Sequence, residues 1–118
     1  MSKFTHRRCK TYTAEIYVGR RKGYEGSVRP HADVVKICRD YCDEVQLGLS
    51  IEEVHFTYVG GEEPGSVVRL INYPRFIASP EKIREKAFVL ARILLESLEQ
   101  YRLTVVMPDE TVMLEMNQ

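Results

Sequence analysis

The sequence predicts an α+β fold with a ferredoxin-like, split β-α-β plan: an antiparallel sheet, two helices and an extra C-terminal hairpin strand. Patterns typical of strands and helices follow one another in the order strand, helix, strand, strand, helix, strand, with a terminal hairpin. The length of 118 residues is that of one domain, covering 1–118. A content of 44% hydrophobic and 29% charged residues is typical of a globular protein.

The first strand is predicted where apolar side chains alternate with others at a period of two, at Tyr12, Ala14, Ile16 and Val18. The pattern ends at Gly19. Residues 19–30 then contain three glycines, a proline and several basic residues, which is typical of an exposed loop.

The first helix is predicted to begin near Pro30. From Ala32 onward, apolar residues fall on one stripe at helical spacing: Val34, Cys38, Tyr41, Cys42 and Val45. Charged residues lie on the opposite side. Gly48 closes this helix or the turn that follows it.

The second and third strands are predicted as a hairpin. Residues 49–59 are rich in β-branched and aromatic types. The glycines, acids and proline of residues 60–65 predict a turn, and Val67 to Ile71 predicts the third strand. This strand is apolar on both faces apart from Arg69, which favours an interior position in the sheet.

The second helix has a strong start signal in Ser79-Pro80-Glu81, with a hydroxyl cap, a proline at the first position and an acid near the positive end of the dipole. One face is then lined by Ile83, Ala87, Leu90, Ala91, Leu94 and Leu98. A fourth strand (103–107), a turn at Pro108-Asp109-Glu110 and a fifth strand (111–116) complete the chain.

Both helices are expected on one face of the sheet. The other face would bear such residues as Tyr17, Phe56 or Tyr58, and an exposed apolar face usually indicates a partner. We therefore expect a homodimer that uses this face or the edge strands.

The charge is balanced overall but uneven along the chain. Residues 1–24 contain seven bases and one acid, a net charge of +6, so the remainder carries −6. Residues 1–10 form a basic N-terminal extension. Because a polyanion binder usually has a basic total, the zero net charge favours a small anion and predicts no long nucleic acid as a partner. No apolar run reaches the roughly 18 residues of a membrane span, and no hydrophobic leader follows the first charges, so we expect no membrane partner and a cytoplasmic location.

The sequence contains no recognisable catalytic motif. Its histidines, His6, His31 and His55, lie in no known nucleophile or zinc pattern, and its three cysteines lack the spacing of a zinc site. The cysteines are interpreted as reduced core thiols. These observations predict a protein that is not an enzyme and that needs no metal and no cofactor.

Two turns combine cations with aromatic rings and are the candidate binding residues. The first contains Arg20, Arg21 and Tyr24, and the second contains Asn72, Tyr73, Arg75 and Phe76. A guanidinium holds a phosphate with two N–H bonds, and a ring can stack on a base. The alternative interpretation is a solvated loop in the first case and a strand exit whose aromatics cover the core in the second.

Arg102 follows Tyr101 and repeats this aromatic and cation pairing where the fourth strand begins. We expect Arg21 and Arg102 at opposite ends of one subunit, so that they would meet most easily across a dimer.

The segments Tyr12 to Gly19, Arg21, Gly23-Tyr24, Ile71 to Phe76 and Pro108 to Thr111 resemble a phage family, the first-described class of Thoeris anti-defence proteins. The resemblance implies a homo-oligomer, dimeric or hexameric, that sequesters a cyclic ADP-ribose isomer in the host cytoplasm without cleaving it. It also implies ligand sites between subunits and, in some members, cyclic oligonucleotides at a second site. Arg21 and Arg102 would be the phosphate-binding arginines, with Asn72 and Phe76 as base or ribose contacts.

Two other classes of function remain open at this point. A protein-binding inhibitor or assembly module would use the uncovered sheet face. A small nucleotide phosphodiesterase or glycohydrolase would return a cleaved product.

Overall fold

A computed structural model gives the structure of the chain and describes residues 3–23, 25–45 and 47–117. The elements are β1 (Thr13–Gly19), α1 (His31–Val45), β2 (Leu49–Tyr58), β3 (Gly61–Ile71), α2 (Pro80–Ser97), β4 (Arg102–Val106) and β5 (Thr111–Glu115). The strands form one antiparallel sheet in the order β2-β3-β1-β4-β5. The predicted fold class is confirmed, and β5 is the added hairpin strand at the edge beside β4.

The core lies between one face of the sheet and the two helices. Ala14, Ile16 and Val18 of β1 are fully buried, as their alternation predicts. From β3 and β4, the core receives Val68, Leu70, Leu103 and Val105. The residues between them in sequence face the other side of the sheet, which the helices leave open.

Both helices begin and pack as their sequences indicate. The Ser79 side chain accepts a hydrogen bond from the backbone N–H of Lys82 at 3.2 Å, and Pro80 takes the first helical position of α2. The predicted apolar stripe of α2 is buried along its whole length. In α1 the buried residues are Val34, Cys38 and Tyr41, and the Tyr41 hydroxyl donates to the carbonyl of Lys86 in α2 at 3.0 Å.

The predicted turn over residues 60–65 is wrong, because β3 already begins at Gly61. The turn itself is Val59-Gly60, where Gly60 has φ +83°, a value that favours glycine. Pro64 lies inside the strand. It is tolerated there because β1 ends opposite Gly65, so the missing N–H of Pro64 removes no ladder bond with β1.

The hairpin of β2 and β3 therefore extends beyond the end of β1. Gly19, the last residue of β1, pairs with Gly65, while Gly61 to Pro64 belong to the ladder with β2, and the Arg20 N–H adds a hydrogen bond to the Pro64 carbonyl at 3.1 Å. This extension places the hairpin tip beside the loop that follows β1.

Aromatic rings cover part of the open sheet face. The rings of Tyr17 and Phe56 lie 6.3 Å apart, and the Phe56 ring rests directly on Gly65, where a Cβ atom would overlap the ring. Tyr58 lies over Gly61 in the same way. The expectation that a second copy covers this face remains a prediction.

Residues 3–12 belong to no helix or strand, and the later part of this segment, from Arg8 to Tyr12, lies beside the turn after β3. The Asn72 side chain donates to the carbonyl of Lys10 at 2.8 Å, and the Asn72 N–H donates to the carbonyl of Tyr12 at 2.9 Å. None of the described helices is long and apolar enough to cross a membrane.

Candidate functional site

A cleft of about 570 Å³ opens at the end of the sheet where β1 stops and β4 starts. Three segments form its walls: the loop after β1, the tip of the β2–β3 hairpin and the start of β4. The lining residues are Arg21, Gly23, Tyr58, Glu62, Glu63, Gln100, Tyr101, Arg102, Thr104 and Met113. We call this the sheet-end cleft.

Arg21 and Arg102 line the sheet-end cleft together within one chain. The expectation that they lie at opposite ends of a subunit is wrong, because β1 and β4 are antiparallel and Tyr17 pairs with Thr104. The C-terminal end of β1 and the N-terminal end of β4 therefore meet at the same edge. No second copy is needed to bring the two guanidinium groups to one cleft.

The loop that carries Arg21 is held in place by hydrogen bonds at both of its sides. The side-chain amide of Gln100 donates to the carbonyl of Arg21 at 2.7 Å, which ties the loop to the segment before β4. Within the loop, Lys22 exchanges backbone hydrogen bonds with Gly26 and Ser27, both at 2.9 Å. Gly23 has φ +61° at the turn, close to the ring of Tyr101. These contacts preorganise the cationic wall of the cleft.

Two carboxylates from the hairpin tip form the opposite wall. The Glu63 carboxylate lies over Gly19, where a Cβ atom would be 2.7 Å from Oε2, so glycine at this position makes room for the acid. Glu62 lies 3.4 Å from the imidazole of His55. The cleft therefore offers both signs of charge to a ligand.

An apolar shelf continues from the cleft onto the open sheet face. It encloses about 490 Å³ and shares Tyr58, Glu63, Arg102, Thr104 and Met113 with the cleft. Its further residues include Tyr17, Phe56 and Val106. The half-exposed rings provide surfaces on which a flat heterocycle can stack.

Arg20 does not line the sheet-end cleft. Its guanidinium is buried and donates to the carbonyl of Gly65 at 3.3 Å, to the carbonyl of Arg29 at 2.8 Å and to the carboxylate of Glu53 at 2.9 Å. These bonds give Arg20 a structural role. Tyr24, the aromatic residue predicted for the same loop, lies outside the described residues.

The second predicted turn lies at the other end of the sheet. It follows Ile71, which pairs with Thr13 at the start of β1, whereas Arg21 follows Gly19 at its end. The length of β1 separates the two by about 20 Å. Asn72 is buried, with its amide bonded to Lys10 and Ala78, while Tyr73, Arg75 and Phe76 are exposed. Within one chain, these four residues do not converge with Arg21 and Arg102.

Several lining residues were not predicted from the sequence. The sequence predicts a turn at Glu62 and Glu63, and it gives no ligand-binding signal for Tyr58, Gln100, Thr104 or Met113. The alternation of side chains along β4 and β5 could have identified some of them, because Arg102, Thr104 and Met113 lie on the strand face opposite the buried Leu103 and the partly buried Leu114. The extension of β3 to Gly61 brings the two acids to the site.

No protein-family model and no curated protein matches the sequence. Solved structures do match in fold. The chain is similar to a phage SAM lyase in complex with S-methyl-5'-thioadenosine, with a TM-score of 0.72, 17% sequence identity, and coverage of 98% of this chain and 97% of that chain. It is also similar to a phage SAM lyase in the apo state, with a TM-score of 0.74, 18% identity, and coverage of 91% and 90%.

These likenesses show that the chain has the fold of a phage enzyme. The prediction that the protein is not an enzyme is corrected by this finding, because an enzyme has this fold over almost its whole length. The prediction was based on the absence of known catalytic motifs, and binding and orientation of a substrate can accelerate a reaction without any of them. Among the described residues, no group of His, Cys, Asp and Glu could hold a metal ion.

Proposed function

We propose that the protein binds S-adenosylmethionine in the sheet-end cleft and cleaves it to S-methyl-5'-thioadenosine. The observation that supports this proposal most is the composition of the cleft. Two arginines, two glutamates and an apolar shelf of rings share one open site, on the fold of a SAM lyase.

The chemistry of the ligand matches this set of side chains. S-adenosylmethionine carries a flat adenine, a ribose diol, a sulfonium cation and a zwitterionic amino acid. We assign the adenine to the aromatic shelf, where Phe56 and Tyr58 present their rings. We assign the carboxylate to Arg21 or Arg102, and the ammonium or ribose hydroxyls to Glu62 and Glu63.

The cleavage step balances without any added reactant. One oxygen of the substrate carboxylate attacks the γ-carbon of the same amino acid and forms a C–O bond. The bond between the γ-carbon and sulfur breaks, and its electron pair moves to the sulfonium, which becomes the neutral thioether. The products are S-methyl-5'-thioadenosine and α-amino-γ-butyrolactone, with the ammonium group unchanged.

The protein would accelerate this step by orientation and by exclusion of water. An arginine bound to one carboxylate oxygen leaves the other free to attack, and the fixed loop of Arg21 would hold the folded conformer. Opposite charges disappear as the new bond forms, so surroundings less polar than water favour the transition state. Phe56, Val106 and Met113 provide such surroundings on the shelf.

Product analysis tests the proposal. The purified protein is incubated with S-adenosylmethionine in H₂¹⁸O, and the products are identified by mass spectrometry. We expect S-methyl-5'-thioadenosine and a lactone without label. Label in the γ-hydroxyl of homoserine would indicate hydrolysis, vinylglycine would indicate elimination, and intact substrate would contradict the proposal.

Matched arginine variants test the location of the site. We expect Arg21→Gln and Arg102→Gln each to lower kcat/KM about tenfold or more, which is the effect of losing a charge-assisted hydrogen bond of about 1.5 to 3 kcal/mol. Arg75→Gln, at the other end of the sheet, is the control and should leave kcat/KM unchanged. An equal loss in all three variants would contradict the assignment to the sheet-end cleft.

A cyclic ADP-ribose isomer is the second candidate ligand for the same cleft. The observation that favours it is the presence of two guanidinium groups, because a diphosphate presents two anionic groups whereas S-adenosylmethionine presents one. This binding would suit a phage protein that counters nucleotide-based immunity. A thermal-shift titration with cyclic ADP-ribose isomers and with S-adenosylmethionine separates the two candidates.

We also propose that a second copy covers the open sheet face and deepens the site. Two exposed side chains of this face, the Tyr58 ring and Met113, border the sheet-end cleft directly. A partner surface over them would close the cleft from the solvent side.

A further inference from the structure

We propose that residues 3–10 and 73–77 form a binding surface for single-stranded nucleic acid, at the end of the sheet opposite the cleft. We call it the basic surface. This inference is independent of the proposed lyase activity. The zero net charge of the chain predicted no long nucleic acid as a partner, but a zero total still allows bases to be concentrated in particular segments.

The basic surface contains cations without acids. Residues 3–12 and 72–80 contain five basic residues and no acidic residue, and the bases are Lys3, Arg7, Arg8, Lys10 and Arg75. The acids next along the chain are Glu15, which pairs with Arg69 at 2.7 Å, and Glu81 in the first turn of α2. A polyphosphate chain therefore meets a uniformly positive pair of segments.

Hydrogen bonds join the two segments into one surface. Asn72 connects them through its side-chain bond to Lys10 and its backbone bond to Tyr12, at 2.8 and 2.9 Å. The Cys9 thiol donates to the carbonyl of Asn72 at 3.3 Å. Arg8 and Lys10 consequently lie beside the turn after β3, where they line a shallow pocket with Ile77.

Exposed apolar side chains lie among these cations. Phe4 is 77% exposed, Tyr73 50%, Phe76 46% and Ile77 63%. Isolated exposed apolar residues are common, but three of these four, Tyr73, Phe76 and Ile77, lie within one turn of five residues, and such a cluster indicates a partner. The Arg75 guanidinium lies 5.6 Å from the centre of the Phe76 ring, so cation and ring are presented together.

Rings interleaved with guanidinium groups match the chemistry of an unpaired strand. Bases that are not stacked in a duplex can stack on aromatic side chains, and the phosphates between them pair with Arg and Lys. A duplex hides its base faces and would leave the rings without a role. An anionic membrane surface would use a continuous apolar face of a helix, whereas these rings lie on a turn and an extended segment.

Fluorescence anisotropy with a labelled oligothymidine of about 20 nucleotides tests the proposal on the full chain. We expect binding at about 50 mM salt that weakens roughly a hundredfold at about 200 mM, since about five phosphate contacts are released. The double variant Arg8→Gln/Arg75→Gln should weaken binding at least tenfold, and Phe76→Leu should weaken it at fixed charge.

Two controls keep the proposal falsifiable. Arg39→Gln/Arg92→Gln removes the same charge from exposed positions on the helices, and Arg21→Gln alters only the sheet-end cleft. Both should bind the oligonucleotide as the unaltered protein does. An equal loss in the controls, no binding at low salt, or binding only to vesicles that contain phosphatidylserine would overturn the proposal.

Discussion

Arg20 joins three separate parts of the chain through one guanidinium group. It bonds the carbonyl of Gly65 in β3, the carbonyl of Arg29 before α1 and the carboxylate of Glu53 in β2. Its side chain is almost fully buried, whereas that of Glu53 is mostly exposed. The ion pair itself therefore contributes little, and the bonds to the two carbonyl groups give Arg20 its structural weight.

Replacing Arg20 with glutamine should lower the free energy of unfolding by about 2 to 3 kcal/mol, because buried carbonyl groups lose their donors. Urea denaturation measures the change. Arg39→Gln, at an exposed position on α1, is the matched control and should change stability by less than about 0.5 kcal/mol. Equal stability of the two variants would show that water replaces the guanidinium.

The burial of Arg20 and Asn72 could have been predicted, but their partners could not. Every second side chain of a strand points to the same face of the sheet. Arg20 follows the buried Ala14, Ile16 and Val18 at this spacing, and Asn72 follows the buried Val68 and Leu70 in the same way. The same alternation predicts that the neighbouring Arg21, which lines the cleft, points to the opposite face. The bonding partners come from segments distant in sequence, and only the tertiary structure reveals them.

The elements with local start and stop signals were predicted most closely. The cap at Ser79 and the stripe of α2 depend on residues within a few positions of one another, so sequence alone identifies them. The start of β3 depends instead on its pairing with β2 beyond the end of β1. Because glycines and a proline are typical of turns, residues 60–65 were predicted as a turn rather than as part of β3. The same error concealed that Glu62 and Glu63 belong to the candidate site.

The cap of α2 gives a quantitative prediction at the scale of one element. Ser79→Ala removes the acceptor of the Lys82 N–H and should lower the free energy of unfolding by about 1 kcal/mol. Ser79→Asp keeps an acceptor and should restore that stability. Chemical denaturation measures both variants, and equal loss in the two would contradict a capping role.

The thiol of Cys38 in α1 should make the free energy of unfolding depend on pH in alkaline solution. Burial raises the pKa of Cys38 from 9.0 to about 12, and the neighbouring Cys42 adds to the shift. The thiol in the unfolded chain loses its proton above about pH 9, while the folded form keeps it. The contribution of the neutral Cys38 thiol to stability is therefore complete below pH 9 and is lost as the pH rises toward 12.

We expect the free energy of unfolding of Cys38→Ala to depend less steeply on pH above 9 than that of the unaltered protein. Some slope should remain, because burial also raises the pKa of Tyr41 and that of Cys42. Denaturation curves at a series of pH values measure the slopes, with Cys9→Ala as the control. An unchanged slope in Cys38→Ala would mean that other groups cause the loss.

Across the whole molecule, the two predicted binding turns serve different ends of the sheet. Antiparallel pairing of β1 with β4 unites Arg21 and Arg102, and the length of β1 separates them from Arg75. The order and direction of the strands therefore determine both the proximity of Arg21 to Arg102 and their distance from Arg75. The sequence predicted the order of elements correctly, but the consequence for Arg102 follows only when the direction of β4 beside β1 is considered.

The open sheet face is the expected surface of association between two copies of the chain. If a second copy covers this face, a charge placed on it should prevent association, because a buried lysine without a partner is strongly unfavourable. Met113 lies on this face, opposite Thr104, and is half-exposed. We expect Met113→Lys to be monomeric in sedimentation equilibrium, and Val28→Lys, in the exposed loop before α1, to associate as the unaltered protein does. An unaltered protein that sediments as a monomer at all concentrations would contradict the proposed covering, and it would leave the sheet-end cleft open on its apolar side.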